Sequence, residues 1–395
     1  MTYYDYDLVI IGAGIHGAGV AQAAAAAGYR VLVLERTGIA AATSSQSSKL
    51  IHGGLRYLET GQFRLVRESL RERALLLKLA PDLVKLTPFY LPIYRQSHRR
   101  WWHVRIGLSL YSLLAGFQTD TRFRAVGRHD WQQLDGLLTK DLVAVYRYFD
   151  AQTDDALLTR AVMQSAQSLG AELRLPAEFV EAEIENRQCR VIFKSGADET
   201  PHECRCAALV NCAGPWAARL LDKIRPSQAP PYVELVQGSH LWLEVEPPSG
   251  CYYVEAPSDY RGVFVMPWHG EMLVGTTETP HVGPPEQART LPAETQYLLD
   301  TLGHYFPHLA NVSRQQIKHE YCGFRVLPRT GGLPSGRSRE VLFHTDNSVA
   351  PRLVSVMGGK LTTYRLTAKK VLARLAPSLP PPSAQHDTAQ LPLSL

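Results

Sequence analysis

Near the start of the chain, Gly12-Ala13-Gly14-Ile15-His16-Gly17 follows a short β-branched run at 8–11 and opens an alanine-rich stretch that reaches Ala27. A G-x-G-x-x-G spacing in that setting suits a phosphate cradle. Gly12 permits the tight turn, Gly14 lets a pyrophosphate reach the backbone, and Gly17 lets helix lie close on strand. The helix N-terminus at Ile15 and His16 supplies unpaired N–H groups and partial positive charge. Glu35 closes the next strand-like run, 18 residues past Gly17, with Arg36 after it. A carboxylate there accepts from two ribose hydroxyls and repels a 2′-phosphate. FAD, NAD and an S-adenosyl ligand all suit such a β-α-β unit.

The discriminating stretch lies just downstream. Ala42-Thr43-Ser44-Ser45-Gln46-Ser47-Ser48-Lys49 is too polar for a core strand and stands where an extended cofactor continues past its pyrophosphate. Its hydroxyls and amides suit phosphate, ribitol and isoalloxazine; a solvated serine-rich loop is the alternative reading.

The elements that must hold these residues read as an α/β chain. Residues 64–79 carry leucine and valine at three- and four-residue spacing, which predicts a helix, and Pro81, Pro88 and Pro92 predict a break after it. Helices are expected at 155–169 and 360–376, a buried strand at 208–211 and another at 353–357. Alternating and β-branched runs between 232 and 277 predict an antiparallel sheet. The stretch from Pro377 is rich in proline, serine and glutamine and is expected to be loosely ordered.

A length of 395 residues favours two domains. A net charge of +5 is compatible with an anionic substrate or lipid surface and too weak to argue for nucleic acid. Six cysteines lack the density of a disulfide scaffold, and the Cys204/Cys206 pair has no second pair to build a metal site, so no metal is expected. Reduced thiols suit the cytoplasm, and no apolar run has the length of a membrane span.

The run from Thr43 through Ile51-His52-Gly53-Gly54-Leu55-Arg56-Tyr57-Leu58-Glu59 closely resembles the flavin loop of the FAD-dependent glycerol-3-phosphate dehydrogenases and oxidases. The likeness recurs in order at Asn211-Cys212-Ala213-Gly214-Pro215-Trp216, Gln237-Gly238-Ser239-His240, Met266-Pro267-Trp268, Gly275-Thr276-Thr277, Gly323-Phe324-Arg325 and Gly358-Gly359-Lys360-Leu361-Thr362-Thr363-Tyr364, covering roughly residues 5–375. The resemblance implies a fold like that of D-amino-acid oxidase: a Rossmann-like FAD-binding domain from discontinuous segments (1–85, 150–225 and 325–376), with an inserted α+β substrate domain (86–149 and 226–324) built on a mainly antiparallel sheet. It implies non-covalent FAD, and oxidation of sn-glycerol 3-phosphate to dihydroxyacetone phosphate by hydride transfer to flavin N5. Quinone or oxygen then takes the electrons.

By matching motifs, Arg56, Lys360 and Arg339 are candidates to grip the phosphate, with Tyr57 beside them; Arg337 is an alternative to Arg339. His240 and Arg325 match positions near the reacting carbinol. The cofactor set implied is Gly12, Gly14, Ile15, His16, Gly17, Glu35, Arg36, Thr43, Ser44, Ser45, Ser48, Lys49, Leu50, His52, Gly53, Val180, Ala213, Gly214, Trp216, Gly323, Arg325, Gly358, Gly359, Lys360, Leu361 and Thr362. His52 either touches flavin or caps its loop. These types suit the chemistry: guanidinium forks and an ammonium hold a phosphate dianion, an imidazole accepts the hydroxyl proton, and a cation steadies alkoxide character.

Departures from the family pattern are Glu278 for a usual aspartate, Leu157 for an arginine and Val326 for a proline, together with a short stretch after Lys370 where the family carries a helical C-terminal domain. They widen the expected substrates to other phosphorylated or phosphonate-bearing alcohols or amines. An amine or 2-hydroxy-acid oxidase on the same fold, or a flavin-binding module without catalysis, are the alternatives. Finally, Arg99-Arg100-Trp101-Trp102-His103 leads an apolar stretch across residues 99–116. That composition suits either a helix lying in a lipid interface, giving a peripheral seat on the inner face of the membrane, or a helix packed on the substrate domain.

Overall fold

The computed structural model describes residues 4–116, 121–196, 200–329 and 340–395. Two mixed sheets, one of nine strands and one of ten, carry the chain. The heart of the first is five parallel strands in the order Glu172–Arg174, Val31–Leu34, Tyr6–Ile11, Pro201–Asn211 and Leu353–Met357. Its strands are apolar on both sides for a physical reason. Leu8 and Ile10 enter one core, with the helices Ile15–Ala26, Asp155–Ser168 and Tyr364–Leu375, whereas Val9 and Ile11 enter a second core on the opposite face. Burial of each such side chain contributes about 1.5–3 kcal/mol.

In the second sheet the strands Val233–Leu243, Glu271–Gly275, Gly262–Trp268 and Cys251–Glu255 follow one another antiparallel, as the alternation at 232–277 predicts. Helix Pro292–Tyr305 covers one face through Leu298 and Leu302. Helices Phe63–Leu79 and Trp101–Leu114 cover the other through Val66, Leu70, Leu108 and Tyr111. The sheet also takes in Leu50–Ile51 and the whole of Ile317–Pro328, so strand pairing crosses the boundaries expected at 85 and 325.

Three expectations are corrected here. Pro88 and Pro92 do not end the structure but lie inside the strand Val84–Tyr94. Being four residues apart, both missing donors face one edge of the strand, and the neighbour on its parallel side pairs only at Phe89 and Tyr90. Residues 377–395 are docked rather than loose. Leu379 and Leu393 enter the first core, and the amides of Ala384 and His386 donate to the carbonyls of Ala27 and Ala26. The tail thus satisfies acceptors that the glycine-terminated helix leaves open, which composition alone does not reveal. Third, Lys360 is extended and Leu361–Thr363 form a separate short turn before the last helix, which runs Tyr364–Leu375.

Candidate active site

The two sheets share a cavity of about 1330 Å³, which begins at Gly12 and Gly14 and ends among Arg56, Tyr57 and Lys360. At its first end Gly12 has φ +96°, and a Cβ there would stand 2.7 Å from the Cys212 carbonyl oxygen; a Cβ on Gly17 would stand 1.9 Å from the Gly12 oxygen. Only glycine fits either place. Gly17 therefore acts by close packing and contributes no cavity wall. The Ile15 amide donates to Ser44 Oγ at 2.9 Å, drawing the polar loop over the helix N-terminus. Glu35 lines the cavity and accepts from the amides of Ala13, Thr37 and Gly38.

Along the cavity, Ile15, His16, Arg36, Thr43, Ser44 and Ser48 form part of the wall, as do Leu50, His52, Ala213, Gly214 and Trp216. Gly323, Arg325, Gly358, Gly359, Lys360, Leu361 and Thr362 close it from the other sheet and the final turn. A Cβ on Gly323 would meet the Gln46 carbonyl oxygen at 2.3 Å and one on Gly359 would meet His16 Nε2 at 2.5 Å. The walls approach as closely as backbone allows. A groove of this length, with helix amides at one end and glycine-lined walls, fits an extended dinucleotide such as FAD.

Besides Gly17, four expected cofactor residues do not line the cavity. Lys49 is buried behind the loop, its Nζ donating to Asp155 Oδ1 at 2.7 Å between the rings of Trp268 and Tyr321. Ser45 turns inward, its hydroxyl donating to the Ala42 carbonyl and its own carbonyl accepting from Lys49. Gly53 donates its amide to Tyr111 Oη and is packed against Leu70. Val180 falls at a register shift of its strand, and Ala177, Glu178 and Phe179 line the cavity instead. For Lys49, Ser45 and Gly53 an ammonium, hydroxyl or amide that reads as ligand-facing is claimed by a nearer protein partner.

At the far end His240 sits mid-strand, opposite Gly275 and Tyr321. A side chain at 275 would strike it, since a Cβ there lies 2.1 Å from His240 Cδ2. Its Nε2 is 2.9 Å from Ser48 Oγ and its ring stacks on Tyr321. Burial, Arg325 and Lys49 push the imidazole down from 6.5 to about 3, so it is neutral at physiological pH rather than poised near neutrality as its type suggests. Burial likewise pushes His16 down to about 4.

The strand carrying His240 is fastened by one carboxylate. Glu294 accepts from Gln237 Nε2, Ser239 Oγ, Thr277 Oγ1, Thr279 Oγ1 and the Leu291 amide at 2.6–3.0 Å. It thereby sets the segment 275–279 against the strand. From that segment Glu278 faces Arg56 Nη2 at 3.5 Å, Arg325 Nη1 at 3.8 Å and Arg261 Nη1 at 3.8 Å. Lys360 Nζ stands 3.6 Å from the centre of the Tyr57 ring. Arg261 escaped the sequence reading because it stands in a loop, and only its spatial pairing with Glu278 marks it. Arg337 and Arg339 lie outside the described residues.

A glycine turn at the head of a parallel sheet, opening on a long cavity whose far end carries guanidiniums, is the arrangement of a dinucleotide-binding protein. The chain belongs to the FAD-dependent oxidoreductase family, whose model matches residues 7–365. It binds FAD and is an oxidoreductase. It is 36% identical to a glycerol-3-phosphate dehydrogenase of Synechocystis sp., over 95% of this chain and 71% of the relative. To the D-erythritol 1-phosphate dehydrogenase of Brucella abortus it is 34% identical, over 93% and 73% respectively. Among solved structures, the glycerol-3-phosphate dehydrogenase of Bacillus halodurans complexed with FAD superposes with a TM-score of 0.75 at 25% identity, covering 98% of this chain and 68% of that one.

Proposed function

We propose that the protein oxidises sn-glycerol 3-phosphate, or a closely related phosphorylated polyol, at a secondary alcohol, giving dihydroxyacetone phosphate from the former. The observation that carries this reading is the meeting of Arg56, Arg325 and Lys360 on one cavity wall. A carboxylate is held by a single guanidinium fork, whereas a phosphate dianion rewards several cations. FAD, when bound, supplies the hydride acceptor.

In this reading Arg56 and Lys360 hold the phosphate and Tyr57 packs beside them. Arg325, tied to the Thr277 carbonyl and Thr276 Oγ1 at 3.2 Å, presents its charge to the carbinol oxygen. His240 starts neutral and hydrogen-bonds the hydroxyl. As the C–H bond breaks, the hydroxyl proton becomes far more acidic than an imidazolium, so even a depressed imidazole accepts it. The remaining members of the motif-matched cofactor set that line the cavity bind FAD, and Ser45, Lys49 and Gly53 behind it hold the loop.

Electrons then pass to a quinone or to oxygen. We favour quinone because helix Trp101–Leu114 both rims the cavity and leaves Trp101, Trp102, Ile106 and Leu113 between 44% and 60% exposed. Such a face suits a lipid interface; no helix among the described residues is long and apolar enough to cross a membrane. The test is anaerobic mixing of the FAD-loaded protein with glycerol 3-phosphate, D-erythritol 1-phosphate, glycerol, amines and 2-hydroxy acids. Rapid bleaching by the phosphorylated alcohols alone is expected; bleaching only by an amine or a 2-hydroxy acid would sink the reading.

A further inference from the structure

Two residues at the cationic end have no part in the reading above: Arg261 and Glu278. Glu278 follows Gly275-Thr276-Thr277 and its side chain is only 5% exposed. Its Oε1 faces Arg56 and Arg325 and its Oε2 faces Arg261, at 3.5–3.8 Å. Arg261 Nη1 also donates to the Glu278 main-chain carbonyl at 2.8 Å, and its Nε lies 3.3 Å from Asp259. Arg56, Arg261, Glu278 and Arg325 all border the cavity.

Three guanidiniums brought onto one wall repel one another, and a low-dielectric cavity sharpens the repulsion. Glu278 between them, with Asp259 on Arg261, offsets it without neutralising the site. Among these described residues, the three arginines and Lys360 exceed the two carboxylates, Glu278 and Asp259, by two positive charges. That excess suits a doubly charged phosphate monoester better than a singly charged carboxylate. The separations to Glu278 are longer than the 2.7–2.9 Å of a closed charge-assisted pair, so it gathers the guanidiniums rather than locking onto one.

We infer that Arg261 is a direct partner of the substrate's phosphate and that Glu278 is a positioning residue that holds Arg56, Arg261 and Arg325 as one phosphate-selective cradle. The inference rests on the proposed phosphorylated substrate and names the residues that select it. It has a distinctive sign. Removing the Glu278 charge makes the wall more positive, so electrostatics alone would tighten phosphate binding, whereas loss of a positioning residue loosens it.

The experiment compares Arg261→Ala, Arg261→Lys, Glu278→Gln and Glu278→Asp with the parent, all FAD-loaded. Two readouts are taken: anaerobic flavin reduction by glycerol 3-phosphate and by glycerol, and calorimetric titration of the oxidised protein with inorganic phosphate. Loss of a charge-assisted contact is worth about 10- to 100-fold in affinity. Arg261→Ala is expected to raise KM for glycerol 3-phosphate and Kd for inorganic phosphate by about that factor, leaving the limiting reduction rate and the response to glycerol nearly unchanged. Arg261→Lys falls between, and is the variant to read if the alanine protein fails to retain FAD. Glu278→Gln is expected to weaken both phosphate readouts about tenfold, with Glu278→Asp recovering part of the loss.

Tighter phosphate binding by Glu278→Gln, or an unchanged preference of both Arg261 variants for glycerol 3-phosphate over glycerol, overturns the inference. If no phosphorylated alcohol reduces the parent's flavin while inorganic phosphate still binds through Arg261, the proposed substrate falls and the cradle stands.

Discussion

His240 and His16 have the residue type of physiological switches and the surroundings of permanently neutral groups. Both have folded pKa values below the unfolded 6.5, at about 3 and about 4. The unfolded chain therefore binds their protons first. Stability is full above about pH 6.5 and drains as pH falls toward 4, by a few kcal/mol at one pKa unit per ~1.4 kcal/mol. Urea midpoints taken between pH 7.5 and 4.5 should show this slope, and a His16→Gln/His240→Gln variant should flatten it; an equally steep loss in the variant refutes the assignment. The same depression places the acid limb of flavin reduction near pH 3 rather than 6.5. The limiting stopped-flow rate at saturating substrate, where the phosphate's own ionisation at about pH 6 no longer governs binding, is expected to stay flat from pH 5 to 8; a fall of that limiting rate centred on 6.5 would remove His240 as proton acceptor. At Gly17 the argument is steric: with a Cβ 1.9 Å from the Gly12 oxygen, Gly17→Ala must shift the turn. The purified variant should hold little FAD and give a colourless solution.

Elements matter here as carriers of such residues. Strand Val233–Leu243 brings His240 to the cavity only because Glu294, on helix Pro292–Tyr305, holds five donors around it. Truncation strands those donors in a buried site, so Glu294→Ala should cost about 3–5 kcal/mol by urea unfolding. A loss under 1 kcal/mol would mean that water replaces the carboxylate at little cost. Helix Trp101–Leu114 carries two faces. Leu108 and Tyr111 anchor it, and its four exposed apolar residues tell on what it meets outside. Trp101→Ser/Trp102→Ser is expected to lower sedimentation with anionic phosphatidylglycerol vesicles about tenfold while leaving flavin reduction intact. Equal sedimentation of variant and parent would favour the purely packed role.

The whole molecule is closed by contacts distant in sequence. Asp150 receives Arg73 and Tyr111, uniting both helices of one face with the second sheet, while Arg365 pairs with Glu72 to tie the final helix to helix Phe63–Leu79. The docked stretch 377–395 adds Leu393 to the first core and its backbone to the end of the first helix. Leu393→Asp puts an unpaired charge into that core and should lower the midpoint of thermal unfolding by several degrees. A midpoint unchanged within error would return the tail to the loose state its composition suggests.

What could be read from the residues alone was chemistry encoded in contiguous order: the glycine turn, Glu35 at the next strand end, the hydroxyl-rich loop and the motif blocks that mark the flavin-dependent class. Such signals are local because backbone approach, helix dipoles and strand–turn–helix order act over a few positions. The tertiary structure alone decided which polar residues face the cavity and which are spent inward, as Lys49 and Ser45 are on Asp155 and the loop's own carbonyls. It alone joined Arg261 to Glu278, set His240 among cations that keep it neutral, and gave the proline-rich tail a partner. Burial, charge proximity and close packing depend on neighbours brought from afar, and no spacing along one chain records them.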